Sequence, residues 1–189
     1  MNWGDEMIET FSEGDHQFMQ LALKAAVETQ ALGNLPIGSV LVIDGKFEGS
    51  AANRLHTHQD FDSHAEKLLI SKSSKAIRKA SEGGKRIELF TTLEPCLMCL
   101  GTAVLNRISR VVYACPEPYG GSGHLRPELI RPWYPQVWPT IHGGLLASES
   151  FTLLKTYMVK NSQVWGDVLK VYENPKSWSE SPWSPFINR

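Results

Sequence analysis

Three runs of strand length, with a fourth strand marked by a hairpin turn, alternate with segments of helical periodicity, and that alternation limits the chain to a narrow set of folds. Residues 37–43 (IGSVLVI) read as a buried strand. Asp44-Gly45 supplies a hairpin turn into a second strand near 47–53. Residues 86–92 (RIELFTT) and 110–114 (RVVYA) are two more strands. Residues 15–32 carry Phe18, Leu21, Ala22, Ala25 and Ala26 at helical spacing, with Asp15 as the starting cap and Gly33 at the end. A second helix runs from about Ser63 to Ala80, before the breaker Gly83-Gly84. A third begins near Cys96 and reaches about Asn106, and residues 147–160 form one more amphipathic helix. Strands that alternate with helices hide their apolar surfaces by layering the helices on the sheet faces. The expected class is therefore α/β.

Two stretches stand outside this pattern. Residues 116–144 are rich in Gly and Pro and include Trp133, Tyr134 and Trp138. Residues 161–189 carry Trp165, Trp178 and Trp183 and close with Ser-Pro-Trp-Ser-Pro-Phe before the last three residues. Aromatic side chains are costly to leave in water, so residues 161–189 are expected as a tail docked on a domain spanning 1–160. At 189 residues and 42% hydrophobic, the chain suits one globular domain with a tail. No run approaches the roughly 20 apolar residues that span a bilayer, so no membrane partner is expected. The first residues have no basic or apolar leader pattern, and the expected address is the cytoplasm.

A formal net charge of −1 argues against binding nucleic acid through bulk positive charge. Lys72, Lys75, Arg78, Lys79, Lys85 and Arg86 do cluster along the sequence. A solvated helix face is the ordinary reading of such a cluster, and guidance of a phosphate-bearing substrate is the alternative. Three cysteines do not make a disulfide framework, and a Cys-x-x-Cys pair in a reducing compartment points to metal or redox chemistry.

The residues that carry chemistry are His64-Ala65-Glu66 and Pro95-Cys96-Leu97-Met98-Cys99. Cys96 and Cys99 are three apart, so on a helix they share a face. A helix N-terminus favours their thiolate forms, which are the forms a metal needs. Two thiolates and the imidazole of His64 suit one zinc ion per chain. Three protein ligands leave the fourth tetrahedral position open, as in catalytic sites. Zinc lowers the pKa of a water placed there toward about 7. Glu66 follows His64 by two positions and does not share its helix face. It is placed to flank the ion as a general base, moving a proton from water to a ring nitrogen and helping an amine leave as ammonia. Attack at an amidine-like ring carbon bearing an amino group gives a carbonyl product. Other readings of the same residues are a structural zinc knuckle, with a fourth ligand from Cys115, His56, His58, His124 or His142, and a redox pair. Cys115, Met98 and Leu100 read as core residues, His56 and His58 as surface histidines, and Glu94 as a side chain bonded to backbone.

The signature with Pro before the first Cys resembles the zinc deaminases. Pro36-Ile37-Gly38-Ser39-Val40-Leu41-Val42, Asn53-Arg54, His64-Ala65-Glu66 and Thr92-Leu93-Glu94-Pro95-Cys96-Leu97-Met98-Cys99 resemble the cytidine deaminase superfamily. Within it they are most similar to the tRNA adenosine deaminase and guanine deaminase branch. The resemblance continues through Gly101 and residues 107–113, covering roughly residues 15 to 124. It implies a three-layer α/β/α fold, with a central, mostly five-stranded mixed sheet between helices, and a homodimer. It also implies zinc on His64, Cys96 and Cys99, with Glu66 as proton shuttle. Asn53 would contact the base or ribose, and Pro36, Ile37 and Ala65 would line the pocket. Glu117, in Cys115-Pro116-Glu117-Pro118-Tyr119, takes the place of an Asp in the family pattern and joins the candidate substrate contacts. Residues 125–140 read as an insertion, and the tryptophan-rich tail replaces the basic tail of the tRNA enzymes. With the near-neutral charge, these departures favour a free nucleobase or nucleoside as substrate. Deamination of adenosine in a transfer RNA is the alternative, and a non-catalytic zinc module is the second.

Overall fold

The computed structural model describes residues 11–173. The expectations for Trp178, Trp183 and the rest of 174–189 lie outside the described residues. The elements run in the order α1 (Glu13–Ala31), β1 (Gly38–Ile43), β2 (Lys46–Ala52), α2 (Leu55–His58), α3 (Ala65–Lys72), α4 (Ser74–Glu82), β3 (Ile87–Leu93), α5 (Leu97–Leu105), β4 (Arg110–Cys115), β5 (Thr140–Gly143), α6 (Ala147–Lys160) and α7 (Ser162–Glu173). The five strands form one sheet in the order β2-β1-β3-β4-β5. β1 pairs antiparallel with β2 and β3, whereas β3, β4 and β5 run parallel. The sheet is therefore mixed, in an α/β fold with α3, α4 and α5 on one face and α1 on the other.

Strand alternation sorts the side chains into two layers. Leu41, Ile87, Leu89 and Val111 pack with Leu69, Ile70 and Ile77 of α3 and α4 and with Ala103 of α5. Val40, Val42, Phe90, Val112 and Ala114 pack on the other face with Met19 and Ala22 of α1. α1 approaches so closely that a Cβ on Gly38 would lie 2.1 Å from the carbonyl oxygen of Ala22. A third cluster gathers Leu35, Ile37, Ala65, Leu93 and Cys115 under α6 and α7.

The structure corrects several local expectations. Ser12, not Asp15, caps α1. Asp15 N–H donates to Ser12 Oγ at 3.1 Å and Ser12 N–H donates to Asp15 Oδ2 at 3.0 Å, a reciprocal capping box. The helix expected over 63–80 is two helices, α3 and α4, separated at Ser73. β5 lies within the Gly- and Pro-rich stretch, where four residues of edge strand carry no usable periodicity. Residues 162–173 form α7, with Trp165, Val168 and Leu169 packed against the third cluster.

Asp15 also ties α1 to the two neighbouring interior strands β3 and β4. Arg110 of β4 holds Asp15 Oδ1 at 2.6 Å and Glu88 Oε1 at 3.0 Å, with all three side chains largely out of water. Removing the cation would leave the buried Asp15 carboxylate uncompensated, with Glu88 keeping only Arg86 at 2.8 Å. Arg110→Ala is expected to destabilise the fold by about 3–5 kcal/mol. A urea titration checks this, and a loss below about 1 kcal/mol would contradict it.

Candidate zinc centre and active site

The site forms where two helices begin at one end of the sheet. His64 is the N-cap residue of α3 and Cys96 the N-cap residue of α5, both with extended backbone. Cys96 follows β3 after a short turn, at the carboxyl end of a parallel strand, where open α/β sheets place their ligands. Cys99 lies in the first turn of α5 and is wholly buried. His64 Nδ1 is 3.5 Å from Cys96 Sγ and 3.5 Å from Cys99 Sγ. Tetrahedral zinc with ordinary Zn–N and Zn–S bonds sets such donors about 3.6 Å apart. The three donor atoms lie within 4.8 Å of one another and are positioned to bind one zinc ion. Cys115, His56, His58, His124 and His142 are not members of this cluster. Burial pushes the Cys115 thiol up to about 12, in keeping with an inert core residue. His56 Nε2 lies 3.0 Å from the Tyr157 hydroxyl, and His58 Nδ1 lies 3.2 Å from Ser63 Oγ.

The thiols differ in character. Cys96 is pulled down to about 4, chiefly by a hydrogen bond from the Cys99 thiol, with His64 assisting against burial. That same bond, with burial, holds the Cys99 proton firmly. A metal bound here takes both sulfurs as thiolates, so binding releases the proton that the pair shares.

Glu66 is 3% exposed, and its carboxyl group meets the Cys99 thiol. Burial raises its pKa above the ordinary carboxylate range. It flanks the three donors without being one of them. Pro36, Ile37 and Ala65 are buried, and Ile37 and Ala65 share a cluster with Leu93, Cys115 and Tyr172. Asn53 is also buried. Its side-chain oxygen accepts the Leu55 N–H at 3.1 Å, while its backbone is held by Ile37 and by the Thr29 hydroxyl. Glu117 follows β4 and lies close enough to Cys96 to feel its charge.

Three further residues organise this region: Asn34 and Tyr172, which the sequence reading passed over, and Glu94, which it read as bonded to backbone. Asn34 is fully buried, and its side-chain oxygen accepts the N–H groups of His56 and Thr57, fixing the loop after Asn53. Tyr172 of α7 is buried and donates its hydroxyl to Glu117 Oε2 at 2.8 Å. Glu94 accepts backbone N–H groups from Glu117 and Gly123.

The basic cluster sits elsewhere. Lys85 and Arg86 precede β3, and the zinc ligands follow it, about 20 Å away at about 3.3 Å per strand residue. A cleft of about 530 Å³ lined by Ser74, Lys75, Arg78, Asn106 and Arg107 lies at that distal end too.

This donor set on a mixed five-stranded sheet between helices belongs to the zinc deaminase class of α/β proteins. Residues 12–115 match the cytidine and deoxycytidylate deaminase zinc-binding region, and the chain belongs to that family. It is 41% identical over 146 residues to the tRNA-specific adenosine deaminase of Bacillus subtilis (strain 168), covering 76% of this chain and 88% of that protein. It is 32% identical to the protein of the same name from Agrobacterium fabrum, covering 74% of this chain and 91% of the other. A solved structure from a study of A-to-I editing by tRNA:A34 deaminases at the wobble position superposes with a TM-score of 0.59 at 34% identity. It covers 73% of this chain and 99% of that one. A guanine deaminase from Nitrosomonas europaea shares the fold, with a TM-score of 0.63 at 22% identity, over 75% of this chain and 83% of that one.

Proposed function

We propose that the chain hydrolytically deaminates adenosine to inosine in the anticodon loop of a transfer RNA. The observation that carries this reading is the likeness to tRNA-specific adenosine deaminases over nearly nine-tenths of the Bacillus protein's length. That likeness outweighs the near-neutral charge, which had favoured a free base or nucleoside. His64, Cys96 and Cys99 hold the metal. Zinc bound there supplies Lewis-acid activation of a water at neutral pH. Glu66 would take one proton from the attacking water and deliver it to a ring nitrogen as oxygen adds to the amino-bearing carbon. The C–N bond then breaks, the proton of the new hydroxyl passes to the departing amine, and ammonia leaves behind a carbonyl. Asn53 contributes an amide N–H to the base or ribose. Pro36, Ile37 and Ala65 shape the apolar wall, and Glu117 accepts from the substrate on the opposite side. A base reaches such a pocket only when flipped out of its loop. The active form is a homodimer in a reducing, cytoplasmic setting, in keeping with three free cysteines.

One observation favours the second reading, a free aminopurine or aminopyrimidine or its nucleoside. Tyr172 of α7 is buried in the same cluster as Ile37 and Ala65, so an added helix packs behind the residues proposed as the pocket wall. The two readings separate in one assay. The zinc-loaded protein is offered an anticodon stem-loop bearing adenosine, and adenine, guanine, cytosine and their nucleosides in parallel. Inosine in the stem-loop with no ammonia from the panel is the expected result. Ammonia from the panel with an unchanged stem-loop would overturn the tRNA reading.

A further inference from the structure

We propose that Glu94 is a positioning residue for the pocket, its carboxylate clamping the loop 116–123 so that Glu117 is held beside the zinc centre. The inference rests on the reading of Glu117 as a substrate contact. Glu94 lies two residues before Cys96, and both of its oxygens are used. Oε2 accepts the Glu117 N–H at 2.9 Å and Oε1 accepts the Gly123 N–H at 2.8 Å. One side chain thus grips the loop at points six residues apart. Bonds to an ionised acceptor are roughly twice as strong as neutral ones.

The neighbouring backbone extends the grip. Ser122 donates its N–H at 3.0 Å and its hydroxyl at 2.7 Å to the Pro95 carbonyl, and Gly121 forms a β-bridge with Cys96 itself. The loop is therefore registered against the segment that supplies a zinc ligand. Its glycines fit the carboxylate closely. A Cβ on Gly121 would lie 2.5 Å from the Glu94 carboxyl group, and one on Gly123 would lie 3.0 Å from Oε1. Glu117 leaves the clamp with its own oxygens engaged by Tyr119 N–H and Tyr172 hydroxyl, each at 2.8 Å. Glu94 touches no reacting atom in this arrangement. It acts through the position of Glu117.

The test compares Glu94→Gln, Glu117→Gln and the double variant, using whichever stem-loop or small substrate the parent turns over. Glutamine keeps the shape of Glu94 but sets an NH₂ donor against one of the two N–H groups. The expected result is zinc retained at one per chain, with kcat/KM lowered about 10- to 100-fold, the scale of a displacement near 1 Å. The double variant should lose no more than Glu117→Gln alone. Multiplied losses in the double variant, or full activity in Glu94→Gln while Glu117→Gln is impaired, would overturn the proposal and leave the Glu117 reading intact. Full activity in Glu117→Gln would overturn both. Should Glu94→Gln not fold, Gly123→Ala crowds Oε1 from the loop side, and the same zinc retention and fall in kcat/KM are expected. Unchanged kcat/KM there would count against the clamp.

Discussion

Glu66→Gln is expected to lower turnover by about 100- to 10,000-fold while zinc stays bound and the fold is kept, the range that a positioned general base contributes. The geometry supports both halves of this outcome. His64 Nδ1, Cys96 Sγ and Cys99 Sγ form the donor cluster without Glu66, so removing its charge takes no ligand from the metal. The carboxyl group is buried against Cys99, and glutamine fills the same volume without opening a cavity. What glutamine lacks is a site for the transferred proton. Burial raises the pKa of Glu66, which moves its proton affinity toward that of a base working near neutrality. Metal analysis and single-turnover rates on the parent's substrate check the prediction. A variant that keeps more than a tenth of the parent's turnover would remove Glu66 from the chemistry and revive the non-catalytic zinc module. A variant that loses zinc would make Glu66 a ligand.

Cys99→Ala is expected to abolish both zinc binding and turnover. Two donors remain, His64 and Cys96, and two do not hold a catalytic zinc at physiological free-metal levels. Cys99 is wholly buried in the first turn of α5, and Cys115, His56, His58, His124 and His142 stand outside the donor cluster. The loss should also appear as stability. A metal that binds the folded chain alone, at 100 times its Kd, adds about 2.7 kcal/mol. Parent protein should therefore lose about that much when a chelator strips its zinc, and the alanine variant should not respond to the chelator. A variant that still carries one zinc per chain would falsify the assigned ligand set.

The chemistry-bearing residues were legible because their signal is local. His64-x-Glu66 and Cys96-x-x-Cys99 state ligand type and spacing outright, and the donor set they imply is the one that lies within 4.8 Å. Strands β1, β3 and β4 were legible from apolar runs, β2 from the Asp44-Gly45 turn, and α1 and α6 from helical spacing. The break at Ser73 was not, because Ser73 serves as the end of α3 and the start of α4 with no Gly or Pro to mark it. β5 was hidden because Thr140-Ile141-His142-Gly143 is a short edge strand with one apolar side chain.

The amino-acid sequence by itself determined the class of fold, the metal-donor set and the choice of Glu66 beside it, since each depends on side-chain identity or on periodicity within a few residues. The tertiary structure alone decided how the pocket is closed. Glu94 grips Glu117 across 23 positions and Tyr172 reaches Glu117 across 55. The basic cluster, near the site in sequence, lies at the far end of β3. The physical reason is that a backbone N–H has no residue identity. A carboxylate whose partners are peptide groups, or a tyrosine carried in on the last described helix, has no sequence pattern until the chain is folded.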